Sequence, residues 1–418
     1  MIRRVKISGY KSFQNLVLEL KPLSVIFGPN ASGKSNLFDA LQFLSQAVSR
    51  KNLKEAFVGH RGLPLESFYR GNNKTDGSND YQFTIEVDVE LSDSVIEEAE
   101  KIIKEKRRGI DSIDLDKKII TEKYLRYKLT VEILQETGYL RVKDEQLCAI
   151  KNNGELKTNR KPFLELEKNQ IHLRMEGQAH PRYLEAGLDH TVVSTALYEP
   201  HYPHINAFRI ELSNWRTYYL EPRNLMREEV PLAEIDSLGP RGENLAAFLN
   251  TLKYKYQKDF ESLNLSLKTI LPISASIDVI HYKEGLIGLL LQEDDLLLSA
   301  RQISEGTLRV IGLLSAVHPR NPATMIAFEE PENGVHPVRI KIISDILKNA
   351  SQYYDKQIII TTHSPIFPGY FDGDNLFICS KDGHQTSIKP FSSIGPLYKQ
   401  RDIDRALEDR IIRGDFGG

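Results

Sequence analysis

Cysteine, long apolar runs and net positive charge are all scarce in this sequence, and each shortage removes a class of protein. The two cysteines, Cys148 and Cys379, lie far apart in different contexts, which points away from a disulfide framework or a thiolate metal site. No stretch approaches the roughly 20 apolar residues of a membrane span, and Met1-Ile2-Arg3-Arg4-Val5-Lys6 lacks the apolar region of a signal peptide. The expectation is a cytoplasmic protein without a membrane partner. The formal net charge is −2, so any contact with DNA has to be local. Repeats and low-complexity tracts are also missing. With 40% hydrophobic and 27% charged residues the composition is globular, and 418 residues exceed a usual single core, which calls for two lobes or a core with a large insertion.

The most informative stretch is Gly28-Pro29-Asn30-Ala31-Ser32-Gly33-Lys34-Ser35, which fits the phosphate-binding pattern G-x-x-x-x-G-K-[S/T]. Its flanks have the required character. Residues 22–27 read as a short apolar strand, and Leu37, Ala40, Leu41, Leu44 and Val48 recur at helical spacing directly afterwards. Glycines in such a loop permit backbone conformations that a side chain forbids, so successive N–H groups and the start of the next helix can surround a triphosphate. Lys34 supplies a cation for the β- and γ-phosphates, and the Ser35 hydroxyl is placed to ligate Mg²⁺. Asn36 is counted with the loop as a nucleotide contact.

Taken in order, the chain opens with two strand-like runs, Ile2, Val5 and Ile7 and then Leu16, Leu18 and Leu20, around a corner at Gly9-Tyr10-Lys11-Ser12-Phe13. Lys11 there either approaches a nucleotide or is a solvated turn lysine, and spacing alone favours the second. Residues 81–90 alternate as a half-buried strand does. Beyond Ser92, Ile96, Ala99, Ile102 and Ile103 share a helical face among interspersed acidic and basic residues, the pattern of a solvated amphipathic helix rather than a nucleic-acid-binding ridge. Residues 123–134 and 140–150 read as strands. Residues 91–234 are therefore expected to form an inserted α/β domain, lid-like or arm-like, between segments 1–90 and 235–418. His201 and His204 flank Pro203 with no further ligand nearby, so no metal is expected there. Trp215, Tyr218 and Tyr219 read as core. Leu245, Phe248, Leu249, Leu252 and Tyr256 form a helical stripe, and residues 275–282 and 285–292 form two strands.

A second set of chemical residues follows. Ser304 is a natural N-cap for a helix with Gly306 in its first turn, and a hydroxyl, bare N–H groups and the positive end of a helix dipole suit a phosphate. Residues 324–328 form an apolar strand ending in Glu329-Glu330. That arrangement places one carboxylate beside Mg²⁺ and the next beside an attacking water. Asn333-Gly334-Val335-His336 leads into another helix with Pro337 in its first turn. Residues 357–362 are a further buried strand with His363 at its carboxyl end, where it reads as a contact to the γ-phosphate or the water. Strands at 376–379 and 386–391 and a helix carrying Ile403, Leu407 and Ile411 complete the chain.

With these motifs the sequence resembles ABC-type ATPases of the SMC/RecF-like branch, and especially the short bacterial ATPases associated with anti-phage defence systems. The likeness covers about residues 1–90 and 235–380. It implies an α/β P-loop ABC-ATPase head, a mixed central sheet flanked by helices, with an inserted α/β domain. By that resemblance, Gly28, Pro29, Asn30, Ala31, Ser32, Gly33, Lys34, Ser35 and Asn36 bind ATP, and Lys11 approaches it. Ser35 and Glu329 hold Mg²⁺. Glu330 is the general base, and Lys34 and His363 are catalytic with it. Ser304 and Gly306 act in trans as the signature motif on a nucleotide held by a second copy, and residues 333–336 are the D-loop. The implied partners are a second copy, in a dimer or a larger homo-oligomer, and a separate effector protein, because the roughly fifty residues after His363 leave no room for a fused nuclease. Two departures stand out: Glu329 replaces the more usual Asp, and Glu305 replaces a signature glycine. Gln82 lies in the region of the Q-loop glutamine but is equally well an ordinary strand residue. One alternative is a DNA repair ATPase that binds DNA directly. Another, disfavoured by the long insertion, is the nucleotide-binding subunit of a transporter.

Overall fold

The computed structural model describes residues 1–69, 81–107, 118–134, 136–178, 180–271 and 275–394. The chain starts with the expected antiparallel pair, β1 (Ile2–Tyr10) and β2 (Phe13–Glu19), turning at Lys11 and Ser12. β4 (Tyr81–Glu90), β5 (Tyr124–Leu134), β6 (Tyr139–Ala149), β7 (Leu164–Glu167), β8 (Gln170–Leu173) and β9 (Arg182–Glu185) add to it. Together they make an antiparallel sheet in the order β2-β1-β4-β5-β6-β7-β8-β9. Helices α3 (Asp93–Arg107) and α4 (Pro203–Ser213) pack on each other over its core.

The second sheet carries the chemistry. β3 (Leu23–Phe27) runs into α1 (Lys34–Ala47), and it is joined by β10 (Trp215–Tyr218), β15 (Met325–Glu329), β16 (Gln357–Thr362), β17 (Leu376–Asp382) and β18 (Gln385–Pro390). The order is β10-β15-β16-β3-β17-β18, parallel except for the final hairpin. Its central strands are covered on both sides, which explains why they read as unbroken apolar runs. Ile26, Met325, Ala327 and Ile359 enter the core shared with the first sheet and α1. Val25, Ile326, Phe328, Ile358 and Ile360 enter a second core, which includes residues of α5 (Leu245–Lys255), α6 (Gln257–Ile270), α7 (Glu305–Ala316) and α8 (Pro337–Tyr353). A small third sheet, formed by β11 (Val230–Pro231), β12 (Ala275–His281), β13 (Leu286–Glu293) and β14 (Leu296–Ser299), packs on α5 and α6.

The segment 91–234 does not stand apart in this architecture. β4 pairs with β5 from Tyr81↔Ile133 to Glu90↔Tyr124, so β5 to β9 continue the sheet that β1, β2 and β4 begin. β10 lies in the same segment, yet it belongs to the core sheet, pairing with β15 from Trp215↔Met325 to Tyr218↔Phe328. Alternation in a strand shows which face is buried but does not name its neighbour, and so a boundary drawn at residue 90 cuts through a continuous sheet. The helix expected around Ile403, Leu407 and Ile411 lies outside the described residues. Among the described residues no helix is long and apolar enough to cross a membrane.

Candidate nucleotide site

Three parallel strands end together. Glu329 is in register with Thr361, and Thr362 with Phe27, so the turns after β15, β16 and β3 meet at one carboxyl edge. Gly28 approaches β17 so closely that a Cβ would lie 2.1 Å from the Cys379 carbonyl oxygen. Gly33 has φ +100°, and its Cβ would lie 2.1 Å from Thr386 Oγ1. Only glycine satisfies both positions. Thr386 Oγ1 is 2.7 Å from the Ser32 carbonyl and 2.7 Å from Ser12 Oγ, which fastens the loop to β18. Asn36 donates to Ser12 Oγ at 2.7 Å, so it braces the loop against the β1–β2 corner. Pro29 is half-buried, and Asn30 and Ala31 are exposed, Ala31 at φ +62°. Lys34 is buried and folded back, donating to the carbonyls of Gly28 at 2.8 Å and Pro29 at 2.7 Å. Burial lowers its pKa. The Ser32 hydroxyl is buried with no partner, an orphaned donor on the loop that a phosphate oxygen would satisfy.

Ser35 Oγ donates to Glu329 Oε1 across the sheet edge. Two hard oxygen donors in direct contact fit a Mg²⁺ site, and the extra methylene of Glu329 does not prevent that contact. Glu330 follows in the left-handed region at φ +49°, an uncommon and costly conformation for Glu. It is held there by its N–H on the Thr361 carbonyl, 2.9 Å, and its carbonyl under the Asn333 N–H, 3.0 Å. The turn brings the carboxylate to His363, with Nδ1 2.7 Å from Oε1. Behind them, Glu332 is buried with one oxygen on the Thr362 hydroxyl and the other unpartnered, and burial raises its pKa.

Arg61 is a site residue that the motif reading passed over. Gly59 at φ +83° and Gly62 at φ +87° turn the chain on either side of His60-Arg61, just beyond α2 (Leu53–Ala56), and Arg61 Nη2 donates to Glu329 Oε2 at 2.5 Å. The available signal was the glycine pair around a basic residue, which resembles an ordinary polar turn. Lys11 supports this loop: its Nζ meets Asp39 of α1 at 2.5 Å and donates to the Arg61 carbonyl at 3.2 Å. The structure thus gives Lys11 a bracing contact between α1 and this loop.

Other expected residues sit elsewhere. Ser304 caps α7, accepting from the Thr307 N–H at 3.1 Å, and neither it nor Gly306 is hydrogen-bonded to residues 28–36 among the described residues. Tyr218 is core, as expected, but Tyr219 is exposed and lines an open cavity with Arg223, Glu305, Arg309, Asn333 and Gly334. Gln82 is exposed on β4 opposite Glu132. His204 is buried, its Nε2 accepting from the N–H groups of Thr121 and Glu122, 3.0 Å each, and its Nδ1 facing Glu176 at 2.7 Å. That pattern describes a structural imidazole. Glu165, Glu167 and His172 are grouped closely enough for a metal, but Arg174 already pairs with Glu165 at 2.6 Å.

A family model described as AAA ATPase domain matches residues 1–181, and one described as AAA domain, putative AbiEii toxin, Type IV TA system matches residues 189–367. The fold is similar to that of an SmcHead bound to the C-winged helix domain of ScpA, with TM-score 0.54 and 13% identity over 93% of this chain and 97% of that one. It is also similar to an Smc head domain with an extended coiled coil bound to the C-terminal domain of ScpA derived from Pyrococcus furiosus, with TM-score 0.52 and 13% identity over 99% of each chain. In sequence, 55 residues are 47% identical to the chromosome partition protein Smc of Desulfitobacterium hafniense (strain Y51), which is 13% of this chain and 5% of that protein. The P-loop, the paired carboxylates after β15 and the parallel sheet that unites them accord with the two ATPase-domain models, and the fold is similar to that of Smc heads.

Proposed function

We propose that this ATPase head binds and hydrolyses Mg–ATP, dimerises on ATP, separates after hydrolysis, and by that cycle controls a separate effector in bacterial anti-phage defence. The observation that carries the chemistry is the Glu330–His363 contact, built on a strained backbone at the sheet edge. Glu330 is the base that takes a proton from the attacking water, and His363 orients its carboxylate. Lys34 moves from the loop carbonyls to the phosphates. Ser35 and Glu329 are the residues that would hold Mg²⁺, which when bound neutralises charge on the β- and γ-phosphates. Ser304 and Gly306 contact the nucleotide of a second copy. The defence role is supported by the family description that names a type IV toxin–antitoxin system, matched over the half that holds both carboxylates. The likeness to a chromosome partition protein favours direct DNA binding as the second reading, and a steep fall of DNA affinity with salt would support it.

The test is the mass of Glu330→Gln in solution, by light scattering after gel filtration, with and without Mg–ATP. Blocked hydrolysis should trap the ATP-bound form, so a doubled mass that Ser304→Arg abolishes is expected. An unchanged mass at saturating nucleotide contradicts the ATP-linked dimer.

A further inference from the structure

The Glu330–His363 pair is open to water: the side chain of Glu330 is 23% exposed and that of His363 42%. Among the described residues the His363 ring has no hydrogen bond but the one to Glu330, so its aim depends on the turn that carries it. That turn is fixed from inside. The Thr362 hydroxyl, wholly buried at the end of β16, accepts from the Ser364 N–H at 2.9 Å and closes the backbone around His363. A hydroxyl has one proton to give, and this one goes to Glu332 Oε1. Glu332 is only 6% exposed, and its Oε2 has no partner among the described residues. Burying a carboxyl with one oxygen unsatisfied is costly, and its presence directly behind a reactive pair points to a task in that pair's chemistry. Its own place is set by the turn of Glu330. Pro331 separates the two acids, and the carbonyls of Glu330 and Glu332 accept from the N–H groups of Asn333, 3.0 Å, and Val335, 3.1 Å. The same turn thus presents Glu330 to His363 and Glu332 to the residue before it.

We propose that Glu332 is a positioning residue for the hydrolysis assigned to Glu330: through the Thr362 hydroxyl it locks the turn that aims His363. The ends of β15 and β16 are then joined by two side-chain contacts, an exposed one that meets the attacking water and a buried one that holds its geometry. The proposal rests on the catalytic reading of Glu330 and His363 and adds a residue to it. Glu332 acts through Thr362 and takes no proton from the water itself.

The experiment uses the full chain and compares Glu332→Leu, which removes the acceptor, with Glu332→Gln, which keeps one. Glu332→Leu is expected to lower kcat for Mg–ATP by about tenfold with KM changed less than about twofold, and to lower it no further in a His363→Ala background, because the two residues act through one link. Glu332→Gln should recover most of the rate. Thr362→Val cuts the same link from the other side and should reproduce both results, which keeps the test open if Glu332→Leu does not fold. An unchanged kcat overturns the proposal, as does a loss equally large with and without His363, which would mark Glu332 as a general structural residue. If the wild-type chain releases no phosphate, the catalytic reading fails, and the link is judged without nucleotide. The Nδ1 resonance of His363, identified by its absence in His363→Gln, should move in Glu332→Leu toward its position in Glu330→Ala and stay in place in Glu332→Gln. A resonance that Glu332→Leu leaves unmoved overturns the link.

Discussion

Glu329 spends both of its oxygens on protein partners, Ser35 and Arg61, so a cation at that carboxylate has to compete with an arginine. The Arg61 side chain is 56% exposed and that of Glu329 11%, with 2.5 Å between Nη2 and Oε2. Water reaches the guanidinium, which reduces the coupling from the large value of a dry interior to about 1 kcal/mol, the upper part of the range for exposed pairs. Removing the competitor by Arg61→Ala should therefore lower the half-saturating Mg²⁺ concentration by about fivefold, because about 1.4 kcal/mol corresponds to tenfold. The assay is a Mg²⁺ titration of the fluorescence of a bound ATP analogue at fixed, saturating nucleotide. Arg61→Lys, which keeps a cation in the loop, should shift it less. An unchanged or raised Mg²⁺ requirement in Arg61→Ala would refute this reasoning and show that Arg61 acts alongside the ion instead of against it.

Two further outcomes follow from the backbone and the buried charges. Gly33→Ala has to place a side chain at φ +100° and against Thr386, so it should cost at least about 2 kcal/mol in urea unfolding and abolish nucleotide binding; wild-type stability would contradict the assigned loop geometry. Glu145 is buried under the N–H groups of Val192 and Val193 and the Tyr127 hydroxyl, and burial pushes its pKa from 4.5 up to about 7. Its folded state prefers the protonated form, so its contribution is complete below pH 4.5 and falls away as pH rises to about 7, by about 3 kcal/mol over the whole window. Glu145→Gln should flatten the stability curve between those values, and an unaltered slope would exclude Glu145 as its source.

Much of the site was legible because its motifs are local. Gly28 to Ser35 need a strand before and a helix after, and both flanks showed their periods, while Glu329-Glu330 closes an apolar run that only a doubly covered strand explains. What escaped depends on chain segments far apart. β10 is four residues long with Arg216 and Thr217 in its middle, so nothing in Trp215-Arg216-Thr217-Tyr218 announces a strand of the core sheet until β15 lies beside it. Lys11 reads as a solvated turn lysine because Asp39 is 28 positions away, and Arg61 carries no signal because Glu329 is 268 positions away. Tyr219 reads as core with Trp215 and Tyr218, whereas the strand ends at Tyr218 and the next residue leaves the sheet.

The central claim is that Glu330, turned toward His363, is the base for ATP hydrolysis. It is tested most directly by phosphate release from Mg–ATP by the wild-type chain and by Glu330→Gln, with nucleotide binding measured on the same samples. The expected result is steady release by the wild type and a loss of about a hundredfold or more in Glu330→Gln, with ATP bound as tightly as before. Equal rates in the two proteins, or no release by the wild type despite bound Mg–ATP, would contradict it.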